Sequence, residues 1–100
     1  MKRTPRIMVV DDAKINRQIL MAILGDEYAY VEAEDGRQAI HMLQQDLNID
    51  LMLLDINMPE MNGFQVLERM NKFQWIKEIP VLMISSEEKR DTIERAYIFG

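Results

Sequence analysis

The sequence contains no cysteine, which excludes disulfides and thiolate metal sites and fits a reducing compartment. It has no long apolar stretch either. After Met1-Lys2-Arg3 the run Ile7-Met8-Val9-Val10 is stopped by two aspartates, too short for a signal-peptide core or a membrane span. Nor is there an excess of basic residues: 12 Lys and Arg stand against 17 Asp and Glu, a formal net charge of −5. That balance argues against direct nucleic-acid binding, which calls for a basic face. The one basic cluster, Lys2, Arg3 and Arg6, reads as a solvated N-terminal tail. Internal repeats, low-complexity tracts and linkers are also lacking, so one soluble, cytoplasmic domain spanning residues 1–100 is expected, with no membrane partner.

What is present is a hydrophobic fraction of 48%, enough for a buried core and too much for a disordered chain. Short apolar runs alternate with helix-like stretches. Residues 7–10 read as a strand. Over 14–24, Ile15, Ile19 and Ile23 recur at i, i+4 and i+8, one stripe of a helix, which Gly25 and Asp26 close. Residues 28–33 form a second strand, with Glu32 and Glu34 suggesting a sheet edge. Asp35 caps a second helix that turns Ala39, Ile40 and Leu43 inward. Residues 51–54 are apolar throughout, as a strand covered on both faces would be. A third helix over 63–72 is expected to bury Phe64, Leu67 and Met70, a fourth strand follows Pro80 at 81–84, and a fourth helix spans 88–99. Strands separated by single helices imply parallel pairing with right-handed crossovers, hence an open α/β sheet with helices on both faces. That class places its site beyond the carboxyl ends of the strands.

The first strand ends in Asp11-Asp12, the third in Asp55 and the fourth in Ser85-Ser86. In a parallel sheet these positions meet at one edge. Three carboxylates brought together repel, and burying them unpaired is expensive. A hard cation such as Mg²⁺ resolves the conflict, because it takes one or two carboxylates, keeps several waters and shares its remaining positions with phosphate oxygens. A carboxylate beside such a cation can act as a nucleophile toward phosphorus. Residue types and placement therefore point to Mg²⁺-assisted phosphoryl chemistry.

Three blocks carry a resemblance: Val-Val-Asp-Asp at 9–12, Leu-Leu-Asp-Ile-Asn-Met-Pro-Glu-Met-Asn-Gly at 53–63 and Ile-Pro-Val-Leu-Met-Ile-Ser-Ser at 79–86. Together they resemble the signature segments of response-regulator receiver domains, in order and spacing, over most of the chain. The resemblance implies a flavodoxin-like fold, here (βα)4 of a normally (βα)5 unit. It implies that Asp55 is the phosphoacceptor, drawing on the phosphohistidine of a sensor histidine kinase or phosphotransfer protein. Asp12 would bind Mg²⁺ directly, Asp11 mostly through water and Asn57 through its backbone carbonyl, with Asp55 also in the metal set. Ser85 would be the switch hydroxyl, with the small Ser86 beside it. Asn57 and Glu87 match positions that tune hydrolysis of the acyl phosphate, and Pro59 and Gly63 would shape the loop over the site.

Receivers continue into a fifth strand bearing a lysine and then a fifth helix, and no residue of this sequence matches that lysine. The chain is therefore expected to be incomplete at its C-terminus, with an unknown output domain or target. The fourth strand is expected to be an open edge through which a homodimer or domain-swapped oligomer could form. A non-switching interaction fragment is the alternative function. A Mg²⁺-dependent aspartyl-phosphate phosphatase is a weaker one, since Asn57 stands where such an enzyme needs an acid or base. The chain is thus expected not to be an enzyme beyond self-phosphorylation and self-dephosphorylation. His41 reads as a surface residue, Met42, Met52, Met70 and Met83 as core, Trp75 as a cover for the core's edge, and Asn62-Gly63 as turn chemistry.

Overall fold

Each apolar run becomes a short strand whose successive side chains leave opposite faces of one sheet. The computed structural model describes residues 3–84 and 97–99. In chain order the elements are β1 (Arg6–Val10), α1 (Lys14–Leu24), β2 (Ala29–Ala33), α2 (Gly36–Gln45), β3 (Leu51–Asp55), α3 (Gly63–Lys72), a single 3₁₀ turn at Trp75–Lys77, β4 (Val81–Ile84) and β5 (Tyr97–Phe99). The sheet order is β2-β1-β3-β4-β5. The first four strands are mutually parallel, with Val10 opposite both Ala33 and Leu54, and Asp55 opposite Ile84. The expected open α/β sheet is present, and β2 lies at its edge as Glu32 and Glu34 suggested.

Strand alternation divides the core in two. Met8, Val10, Met52, Leu54, Val81 and Met83 point to the face covered by α2 and α3, where they meet Ala39, Ile40, Leu43, Val66, Leu67 and Met70. Ile7, Val9, Leu53 and Ile84 point the other way, against Leu20, Met21 and Leu24 of α1. The helix ends follow local chemistry. Asp35 caps α2 by accepting from the Gln38 amide at 2.7 Å. Asn62 and Gln65 form a reciprocal capping box at the start of α3. Gly25 ends α1 at φ 94°, a conformation that favours a residue without a Cβ.

Five expectations change. The stripe Ile15, Ile19 and Ile23 faces outward, 58%, 48% and 62% exposed. The stripe that faces the sheet is buried Arg17 with the half-buried Leu20, Met21 and Leu24, an i, i+3, i+4, i+7 pattern disguised by the charge at its first position. Phe64 is exposed, and Val66 takes the inward position on α3 beside Leu67 and Met70. Of the helix expected over 88–99, residues 88–96 lie outside those described, while Tyr97–Phe99 is a strand antiparallel to β4, with Val81 opposite Phe99 and Met83 opposite Tyr97. Tyr-Ile-Phe is a strongly β-favouring tripeptide, and its pairing satisfies backbone groups that β4 would otherwise leave open. The open fourth-strand edge, the premise for self-association, is therefore occupied. The N-terminal cluster is not merely solvated: Arg3 makes a two-bond contact with Asp50 at 2.9 Å, and Arg6 meets Asp46 at 3.0 Å.

These contacts tie the start of β1 to the segment before β3. The backbone N–H of Arg6 and the Arg3 guanidinium hold the Asp50 carboxyl below its usual 3.8. A carboxyl with a depressed folded-state pKa stabilises the fold above the unfolded value, and that contribution is lost as pH falls through the folded one. Asp50→Asn is expected to lower the melting temperature slightly at neutral pH and low salt, with the difference closing in strong acid and shrinking at high salt. Thermal melts of both proteins across pH and ionic strength check this.

Candidate functional site

The register of the parallel strands builds the site. Val10 and Leu54 are paired, so Asp11, the first residue beyond β1, and Asp55, the last of β3, emerge at the same sheet edge. Asp11, Asp12 and Asp55 each offer a carboxylate oxygen within 4.8 Å of the other two. Asp11 and Asp55 are buried at 4% and 3% exposure, and Asp12 is exposed to solvent.

Backbone donors hold the two buried acids. Asp11 Oδ1 accepts the Ala13 amide at 2.8 Å and Asn16 Nδ2 at 3.4 Å, while the Asp11 amide donates to the Ala33 carbonyl at 3.2 Å. Asp55 Oδ1 accepts the Asn57 amide at 3.1 Å. The chain beyond Asp55 stays in register through the Ile56 amide, which donates to the Ile84 carbonyl at 3.0 Å. Arg17, buried at 5% exposure, donates to the Asp11 carbonyl at 2.6 Å and to Glu32 of β2 at 2.9 Å. Burial pushes the Asp11 carboxyl above its usual value. The Ala13 and Asn16 hydrogen bonds oppose that shift and the neighbouring Asp12 charge adds to it. Negative charge is thus held at this edge against its own electrostatic cost.

An all-oxygen set of three carboxylates this close together is the donor chemistry of a hard divalent cation, and Mg²⁺ fits it. Asp11, Asp12 and Asp55 are the residues that would hold it. Of the other expected members, Asn57 follows Asp55 by two residues, with an exposed side chain and its amide on the Asp55 carboxylate. Ser85, Ser86 and Glu87 lie outside the described residues.

The family model for the response regulator receiver domain matches residues 7–100. The chain belongs to the response regulator receiver family. This receiver is 34% identical over 92 residues to the two-component response regulator ORR3 of rice (Oryza sativa subsp. indica), covering 91% of this chain and 70% of that one. It is similar to the solved CheY-like receiver domain protein of Methanospirillum hungatei, with a TM-score of 0.73 at 28% identity, over 82% of this chain and 65% of that chain. It is also similar to the Thermotoga maritima response regulator TrrA, solved in complex with Mg²⁺-BeF. There the TM-score is 0.72 at 32% identity, over 87% of this chain and 76% of that one. The solved relatives share the flavodoxin-like architecture expected from the sequence.

Two features of this receiver escaped sequence reading. Arg17 received no role from the sequence, and its one available signal was the interruption of an otherwise apolar i, i+3, i+4, i+7 stripe. Gly63 opens α3 behind the cap residue Asn62, as the expected helix over 63–72 requires, but its close approach to β3 was not foreseen. A Cβ there would come within 2.5 Å of the Asp55 carbonyl oxygen and 2.9 Å of the Ile56 Cα. Glycine is needed because α3 begins directly against the strand end that carries Asp55.

If charge at this edge is costly without a cation, removing some of it relieves the metal-free protein. Asp11→Asn keeps an acceptor for the Ala13 amide and is expected to raise the melting temperature in the presence of EDTA by several degrees. In millimolar Mg²⁺ the wild type should recover part or all of that difference, because binding to the folded state adds stability. Paired melts with and without Mg²⁺ check the sign.

Proposed function

We propose that this receiver accepts a phosphoryl group on Asp55 from the phosphohistidine of a sensor histidine kinase or phosphotransfer protein. The observation that carries the reading is the convergence of Asp11, Asp12 and Asp55 at the carboxyl edge of the sheet. In the transfer, an Asp55 carboxylate oxygen forms a bond to phosphorus while the phosphorus–nitrogen bond to the donor imidazole breaks. The electron pair returns to the ring nitrogen, which then takes up a proton. The Asn57 amide on Oδ1 fixes the plane of the Asp55 carboxylate, limiting the approaches open to phosphorus. Mg²⁺ held by Asp11, Asp12, Asp55 and the Asn57 carbonyl would supply charge neutralisation to the phosphoryl oxygens. Ser85 is assigned the switch hydroxyl by its place in the signature block. On this reading the protein is a phosphoacceptor rather than a turnover enzyme, because Asn57 offers neither acid nor base two residues from the nucleophile.

The donor also needs a surface to dock on. Ile15 and Ile19 are half exposed or more on α1, which begins immediately after the Asp11-Asp12 turn. Exposed isoleucines at i and i+4 next to the acceptor suit the apolar flank of a donor helix.

Incubation with Mg²⁺ and acetyl phosphate, followed by intact mass measurement, is expected to give one phosphoryl adduct that Asp55→Asn abolishes. A folded wild type that gains no adduct overturns the proposal and favours a non-switching interaction module. Ile19→Glu should separate docking from chemistry. Labelling by acetyl phosphate is expected to stay at the wild-type rate, while transfer from a phosphorylated donor protein slows about tenfold.

A further inference from the structure

We infer that Arg17 is a positioning residue for the metal site, fixing the Asp11–Asp12 peptide so that Asp12 is presented to the cation. The inference rests on the reading that Asp11, Asp12 and Asp55 hold a divalent ion, and it assigns a role to the one buried cation among the described residues, which that reading leaves unused.

Arg17 occupies the first position of the inward face of α1, where Leu20, Met21 and Leu24 make the apolar contacts. A leucine or methionine would fill that position without desolvating a charge. Burying a guanidinium is costly unless its donors are well placed, so its presence calls for a specific partner. It has two. Nη1 donates to the Asp11 carbonyl at 2.6 Å, and Nε donates to Glu32, which is half exposed on β2, at 2.9 Å.

The consequence for the site lies in the backbone. The Asp11 amide is already held by the Ala33 carbonyl of β2, and its side chain by Ala13 and Asn16. Arg17 completes the set by holding the Asp11 carbonyl, and Glu32 anchors Arg17 to the same strand that receives the Asp11 amide. The orientation of that peptide plane sets where the Asp12 Cα and carboxylate go. Asp12 is solvent-exposed, so its placement depends on the backbone that carries it. The guanidinium also puts positive charge against the backbone of an edge carrying three carboxylates, reducing their mutual repulsion before any metal arrives. Partners behind the ligands commonly govern metal affinity in this way.

The test is Mg²⁺ affinity by isothermal titration calorimetry on wild type, Arg17→Met, Arg17→Lys and Glu32→Gln, each with a parallel thermal melt. Amide shifts of Asp12 and Ala13 in the metal-free proteins report the peptide's orientation. A merely structural arginine predicts lower melting temperatures with unchanged affinity in whatever fraction is folded. The positioning role predicts that folded Arg17→Met binds Mg²⁺ about tenfold more weakly, with displaced Asp12 and Ala13 amide signals. Arg17→Lys should recover part of the affinity, since one ammonium can reach the carbonyl but cannot also hold Glu32 in the same geometry. Glu32→Gln should lose less than Arg17→Met. Wild-type affinity in folded Arg17→Met overturns the inference. Should that variant fail to fold, wild-type affinity in both Arg17→Lys and Glu32→Gln overturns it equally. Absence of Mg²⁺ binding by the wild type would instead remove the metal reading itself, and this inference with it.

Discussion

Mutual repulsion among Asp11, Asp12 and Asp55 is the constraint around which this receiver is organised. Three carboxylates within 4.8 Å of one another, two of them buried, do not gather unless the rest of the fold forces them to. The forcing agent is the parallel sheet. Apolar side chains on both faces of β1 and β3 lock the register that sets Val10 beside Leu54, and that register delivers the two strand ends to one edge. Hydrophobic burial thus supplies the stability that the acidic edge spends, and a bound cation would return part of it.

The surrounding parts serve the same constraint. The Ala13 and Asn57 amides are neutral donors that tolerate carboxylates without cancelling their charge, so the acids stay available to a cation. Gly63 lets α3 start hard against the backbone of Asp55 and Ile56, which leaves the strand end little room to relax away from its neighbours. On the opposite flank Arg17 and Glu32 tie the first acidic turn to β2. The acids are therefore tied to the backbone on both flanks, as suits a site that binds charge without large reorganisation.

Much of this was legible in the sequence because the signals were local and periodic. Four apolar runs gave the parallel strands, Asp35 and Gly25 gave helix ends, and the placement of Asp11, Asp12 and Asp55 at strand ends gave the cluster before any geometry was known. Two of the failures share a cause. The Ile15, Ile19 and Ile23 stripe had good helical spacing, but hydrophobicity alone does not say which of two candidate stripes faces the sheet, and the true one was masked by Arg17. Phe64 failed for the same reason, with Val66 holding the inward position expected of Phe64. At 97–99 a helical period competed with strong β-propensity, and the backbone demand of β4 decided for the strand. The close approach at Gly63 was not legible because contact between segments distant in sequence leaves no local signature.

The central claim is that the three carboxylates form one cation site. Anomalous difference maps from crystals soaked in Mn²⁺, a stand-in for Mg²⁺ with similar oxygen preference, test it most directly. The account predicts a single strong peak at the sheet edge, within coordination distance of Asp12 and Asp55 and beside Asp11. A well-diffracting crystal with no peak there, or with Mn²⁺ bound only elsewhere on the surface, would contradict it.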